Sequence, residues 1–113
     1  MDQERMKRLM DNIFSHVQQT RNAGQKEYAR NVDNAFANFE RIGENLDLSR
    51  EKVLMVYLLK HIDGIASYVD GHNSQREDVT GRIIDVIVYL CLLWGMHLDN
   101  KDPEDLGSCI TGQ

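Results

Sequence analysis

From Ile83 to Trp94 nearly every residue is apolar, and Asp85 is the one charge inside the run. This is neither the single stripe of a surface helix nor the alternation of a half-buried strand. Ser74 with Glu77 three residues later fits a capping box, in which hydroxyl and carboxylate satisfy the first amide donors of a helix. The pattern therefore predicts a helix from Gln75 to about Met96. β-branched residues at 83, 84, 86, 87 and 88 also suit a strand, but no second strand-like run exists to pair with them. A helix apolar on all sides is a core helix, surrounded by other helices on most of its circumference.

Upstream, Met6, Leu9, Met10, Ile13, Phe14 and Val17 recur at the spacing of a one-faced helix, predicted from Asp2 to about Asn22 and interrupted by Gly24. A short second helix is expected from Asn34 as its cap, with Ala35, Phe36, Phe39 and Ile42 on one face, ending between Gly43 and Asp47. Ser49 can cap a long third helix with Glu51 in its first turn, where the positive dipole end favours a carboxylate. Asp70-Gly71-His72-Asn73 reads as a turn, so the third and fourth helices should be antiparallel neighbours.

These elements predict an all-α, four-helix bundle-like protomer with two long antiparallel C-terminal helices. One amphipathic and one short helix cannot cover a fourth that is apolar all round. The expectation is a homodimer or higher oligomer built on Ile83, Ile87, Leu90 and Trp94.

The chain has 113 residues, enough for one core, and divides into a single helical domain over 1–100 and a polar tail over 101–113. A formal charge of −5 offers no field for a phosphate backbone, so nucleic-acid binding is not expected. The 14-residue run from Ile83 to Met96 is shorter than the ~20 residues that span a bilayer, so no membrane segment is expected. Cys91 and Cys109 suit a reducing compartment better than a disulfide framework, and the N-terminus lacks the order of a signal peptide. The expected location is the cytoplasm.

Three polar groups interrupt the pattern: Lys26-Glu27-Tyr28 with Asn34 to Phe39, Lys60-His61-Ile62-Asp63, and Glu77, Asp78, Arg82, Asp85 and Tyr89. On a helix, offsets of 4, 7 and 11 bring Asp78, Arg82, Asp85 and Tyr89 into one stripe. Facing Lys60 and His61, that stripe would make a polar seam suited to a charged small ligand or a divalent cation. The same spacing also suits plain ion pairing of Arg82 with the two aspartates.

The order Lys26, Tyr28, then Asn34-Ala35-Phe36-Ala37-Asn38-Phe39, then Lys60, then Glu77, Asp85 and Tyr89 resembles small phage-encoded helical proteins of the nucleotide-modification-associated type. These are in turn similar to the MazG-like all-α nucleotide pyrophosphohydrolases. The resemblance covers about Lys26 to Leu93 and implies nucleotide binding, with Mg²⁺ held near Glu77, Asp78 and Asp85. Lys26, Tyr28, Asn38, Lys60, His61, Arg82 and Tyr89 would contact the ligand. Leu59 and Gly81 stand where the family carries aspartates, and Glu77 and Asp85 are ~12 Å apart along a helix, too far to share one ion. A catalytically degenerate member fits these departures. So does a non-catalytic oligomer that inhibits a host defence protein or sequesters a signalling nucleotide.

Overall fold

The computed structural model describes residues 1–28, 33–72 and 78–101, the side chains of 26–28 excepted. Among these residues the chain is all-α, with helices α1 (Gln3–Tyr28), α2 (Ala37–Leu46), α3 (Arg50–Val69) and α4 (Val79–Asp99).

α1 starts where the Asp2 carboxylate accepts the Arg5 amide at 2.8 Å. It runs through Gly24 and on to Tyr28, past the expected interruption. A single glycine in a helix costs only ~1 kcal/mol, which one long helix can absorb. α2 begins later than expected. Asn34 is not its cap but closes the preceding turn, accepting the Phe36 amide at 3.0 Å and donating to Glu40 Oε1 at 2.8 Å. Phe36 takes the cap position.

At the other end of α2, Asp47 adopts the left-handed conformation (φ 56°) and the Leu48 amide donates back to the Gly43 carbonyl at 2.9 Å. Gly43 is required by this reversal, since a Cβ there would lie 2.5 Å from the Leu48 carbonyl oxygen. Ser49 caps α3 as expected, its hydroxyl accepting the Lys52 amide at 3.1 Å. Asp78 occupies the cap position of α4 without a side-chain cap hydrogen bond, and the helix begins at Val79, later than Gln75. Ser74 and Glu77 lie outside the described residues, as do Cys109 and the rest of the tail from 102.

α3 and α4 are antiparallel. The start of α3 meets the end of α4 through Arg50 and Asp99, the midpoints meet through His61 and Asp85, and Gly64 meets Arg82 nearer the start of α4. Two apolar clusters hold the fold. Phe39, Val53, Leu54, Leu58 and Met96 join α2, α3 and α4, while Val17, Ile84 and Val88 join α1 to α4. Burying a side chain such as Leu54 contributes about 2–3 kcal/mol.

Arg50 staples one end of the bundle. Its guanidinium bonds Glu40 at 2.9 Å, Glu51 at 3.0 Å and Asp99 at 3.2 Å, and lies 4.9 Å from the centre of the Phe36 ring. It also donates to the Asn100 side chain at 2.9 Å. Burial alone would lower the Arg50 pKa, but the hydrogen bonds it donates to Glu51, Glu40 and Asp99 outweigh that and raise it.

The core helix is less enclosed than its composition suggests. Only Ile84, Val88 and Met96 of α4 are buried, whereas Ile83, Leu90 and Trp94 are exposed. The helix also extends beyond the apolar run at both ends, and at 21 residues is long and apolar enough, by length and composition alone, to cross a membrane.

Candidate functional site

A groove of about 670 Å³ opens where all four helices approach one another. Its walls carry Asn38 from α2, Lys60 and His61 from α3, and Asp85 and Tyr89 from α4, five of the residues singled out by sequence. They converge because α3 and α4 are antiparallel. Position 61 lies opposite position 85, and one further turn of α4 adds Tyr89 to the same face.

The centre is a pair. His61 Nε2 lies 3.5 Å from Asp85 Oδ2, with the His61 side chain only 13% exposed. The imidazole is also tilted against the Tyr89 ring, with centroids 5.7 Å apart. Tyr89 and Tyr57 stack at 6.3 Å, and Phe39 meets both rings edge-on. Three aromatic rings thus cluster beside the His61–Asp85 pair, Tyr89 directly against the imidazole. If Nε2 carries the proton toward Asp85, Nδ1 is an acceptor, and this buried atom has no hydrogen-bond partner among the described residues.

α1 contributes residues that the sequence reading did not single out. Arg21 and Gln25 line the groove opposite α3, with Arg21 Nη2 donating to Gln25 Oε1 at 3.3 Å and Gln25 Nε2 donating to the Asn34 carbonyl at 3.3 Å. The signal was present in the pattern. Arg21 and Gln25 follow Val17 at steps of four, so they carry a helix face from apolar to polar. With Lys60 they give the groove two cations against the carboxylate of Asp85.

Arg82 is not in this wall. Its side chain lies across Gly64 of α3, one turn before Asp85, in space that a Cβ would occupy. Asp78 sits at the exposed start of α4, where the Thr80 hydroxyl donates to its carboxylate and holds its pKa below the usual range. The expected stripe of Asp78, Arg82, Asp85 and Tyr89 therefore has three separate surroundings.

Glu77 and the side chains of Lys26 and Tyr28 lie outside the described residues. Among those described, no three His, Cys, Asp or Glu side chains gather around a point that could hold a metal ion. Of the described carboxylates, Asp85 alone is in the groove wall.

Comparison of the chain with protein-family models, with curated proteins and with solved structures gave no match.

Proposed function

We propose that this protein binds a nucleotide, or a closely similar anion bearing a planar ring, in the groove between the four helices. The observation that carries the proposal is the convergence of Arg21 and Lys60 with Tyr57, Tyr89 and the amides of Gln25 and Asn38 on one cavity of about 670 Å³. Two cations suit phosphates, aromatic walls suit a ring, and side-chain amides suit its polar edge. The resemblance to MazG-like proteins supports the same ligand class. The proposed role is binding, because Asp85 is the only carboxylate that the described residues give the groove and it is already engaged with His61.

The test is a thermal-unfolding screen of ribo- and deoxyribonucleoside mono-, di- and triphosphates, each with and without Mg²⁺. A ligand at 100 times its dissociation constant adds about 2.7 kcal/mol of stability, a readily measured rise in melting temperature. Lys60→Ala should weaken the best nucleotide at least tenfold, while Lys52→Ala, at an exposed site that does not line the groove, should not. If no nucleotide at millimolar concentration raises the melting temperature in either condition, the proposal fails. A Mg²⁺ requirement would bring Glu77 and Asp78 back as candidate ligands, to be tested as Glu77→Gln and Asp78→Asn.

A further inference from the structure

Along α4 the residues Ile83, Ile87, Leu90, Trp94 and His97 recur at steps of four, three, four and three. That is the spacing of a seam that packs against another helix. Within the subunit the seam has no such partner over most of its length. Ile83 is 41% exposed, Leu90 49% and Trp94 50%, and only Ile87 is partly covered, packed on the cluster of Val17, Ile84 and Val88. Among the described residues eight hydrophobic side chains are buried and seventeen large ones are exposed, so the seam is part of a surface that one subunit leaves unfinished.

We infer that the seam is covered by the same seam of a second copy, running antiparallel about a two-fold axis at Leu90. Three observations select this occupant. In that register Ile83 meets the partner's His97 and Ile87 meets the partner's Trp94, so the small half of each seam faces the large half of the other. The C-terminal half is also a shallow, open depression of about 680 Å³ lined by Glu51, Leu90, Leu93, Trp94, His97 and Asn100, against which the isoleucines of a second copy can rest. The ends match in charge, since Asp78 at the start of one α4 comes level with the partner's Lys101, just past the end of the other.

A bilayer is a poorer occupant, although α4 alone has the length and composition to cross one. α4 is packed against α3, whose Lys52, Lys60 and Asp63 are exposed and would enter the hydrocarbon with it. The inference does not depend on which ligand the four-helix groove takes.

Sedimentation equilibrium of the full chain tests it. The expected mass is twice 13.0 kDa. Leu90→Glu should return it to 13.0 kDa with unchanged helical circular dichroism, because Leu90 is exposed in the subunit. Val56→Glu, at a still more exposed apolar site on α3 away from the seam, should leave the dimer intact.

Independently, Leu90→Cys in a chain that also carries Cys91→Ala and Cys109→Ala should form an inter-chain disulfide on oxidation, since the axis passes at that position. A wild-type monomer overturns the inference. So does a dimer that survives Leu90→Glu and fails to cross-link at 90, or a chain that is monomeric in solution and sediments with phosphatidylcholine vesicles.

Discussion

The side chain of Arg82 lies across the backbone of Gly64, filling the place where any other residue would carry its Cβ. An added methyl group would collide with Arg82 Cδ and Nε as well as its terminal nitrogen. Gly64 is thus the aperture through which α4 seats an arginine against α3. Helix propensity alone favours Ala over Gly by up to ~1 kcal/mol, so the two effects oppose. Gly64→Ala is expected to destabilise the native chain by about 1–2 kcal/mol through overpacking, and to stabilise it once Arg82→Ala has vacated the space. Urea unfolding of the four members of this cycle checks the sign reversal.

Arg50→Ala should be far more damaging than an ordinary surface substitution. It removes a guanidinium only 15% exposed and leaves Glu40, Glu51 and Asp99 without their shared cation. The expected loss is about 1–3 kcal/mol, from the buried arginine stem and its hydrogen bonds, because the three carboxylates are themselves partly exposed and regain water. Arg50→Lys should recover less than half of it, because an ammonium cannot reproduce the planar fork that reaches three helices. Denaturant midpoints at matched slopes measure both.

Acid should loosen the same end of the bundle. Burial would raise the Glu51 pKa, but the Arg50 hydrogen bond, with those from its own backbone and Asn100, lowers it below its ordinary 4.5. At the opposite end, where α4 begins, Asp78 is also lowered below 3.8, chiefly by the Thr80 hydroxyl. A carboxyl with a depressed folded pKa binds fewer protons folded than unfolded, so stability rises with pH through that range. The contribution is present above the unfolded values and is lost as pH falls through the folded ones. Glu51→Gln should lower the melting temperature at neutral pH and flatten its fall below about pH 4.5, with the slope of the neutral-to-alkaline limb unchanged.

The reversal after α2 gives a pair of opposite outcomes. Asp47 holds a left-handed backbone that costs a residue with a Cβ about 1–2 kcal/mol, so Asp47→Gly should stabilise by up to ~1 kcal/mol after the greater unfolded freedom of glycine is counted. Gly43→Ala should destabilise by about 2 kcal/mol or more, since the obstructing atom is a backbone carbonyl that cannot swing aside. Thermal unfolding of the two variants distinguishes them by sign.

Much of the candidate site could be read before any coordinates. Once α3 and α4 were recognised as antiparallel neighbours, Lys60, His61, Asp85 and Tyr89 could be placed opposite one another from helical spacing, and the structure brings them together on one groove. Arg82 was assigned to the same seam and lies instead at Gly64, because the depth to which a long side chain sinks depends on the residue across from it. The α1 wall of Arg21 and Gln25 is not legible there, since periodicity puts Arg21 on the first helix without saying which neighbour that turn faces, and Gly24 interrupts the pattern before Gln25.

The all-α class, the four helices, the Ser49 cap and the unusual apolarity of α4 are legible along the chain, because they follow from interactions within a few residues. That Arg50 ties three helices together, that His61 meets Asp85, and that half of α4 faces outward emerge from the packing of the helices. Those outcomes depend on pairs far apart in the chain, and local periodicity specifies which face of a helix is apolar but not which neighbour arrives to cover it.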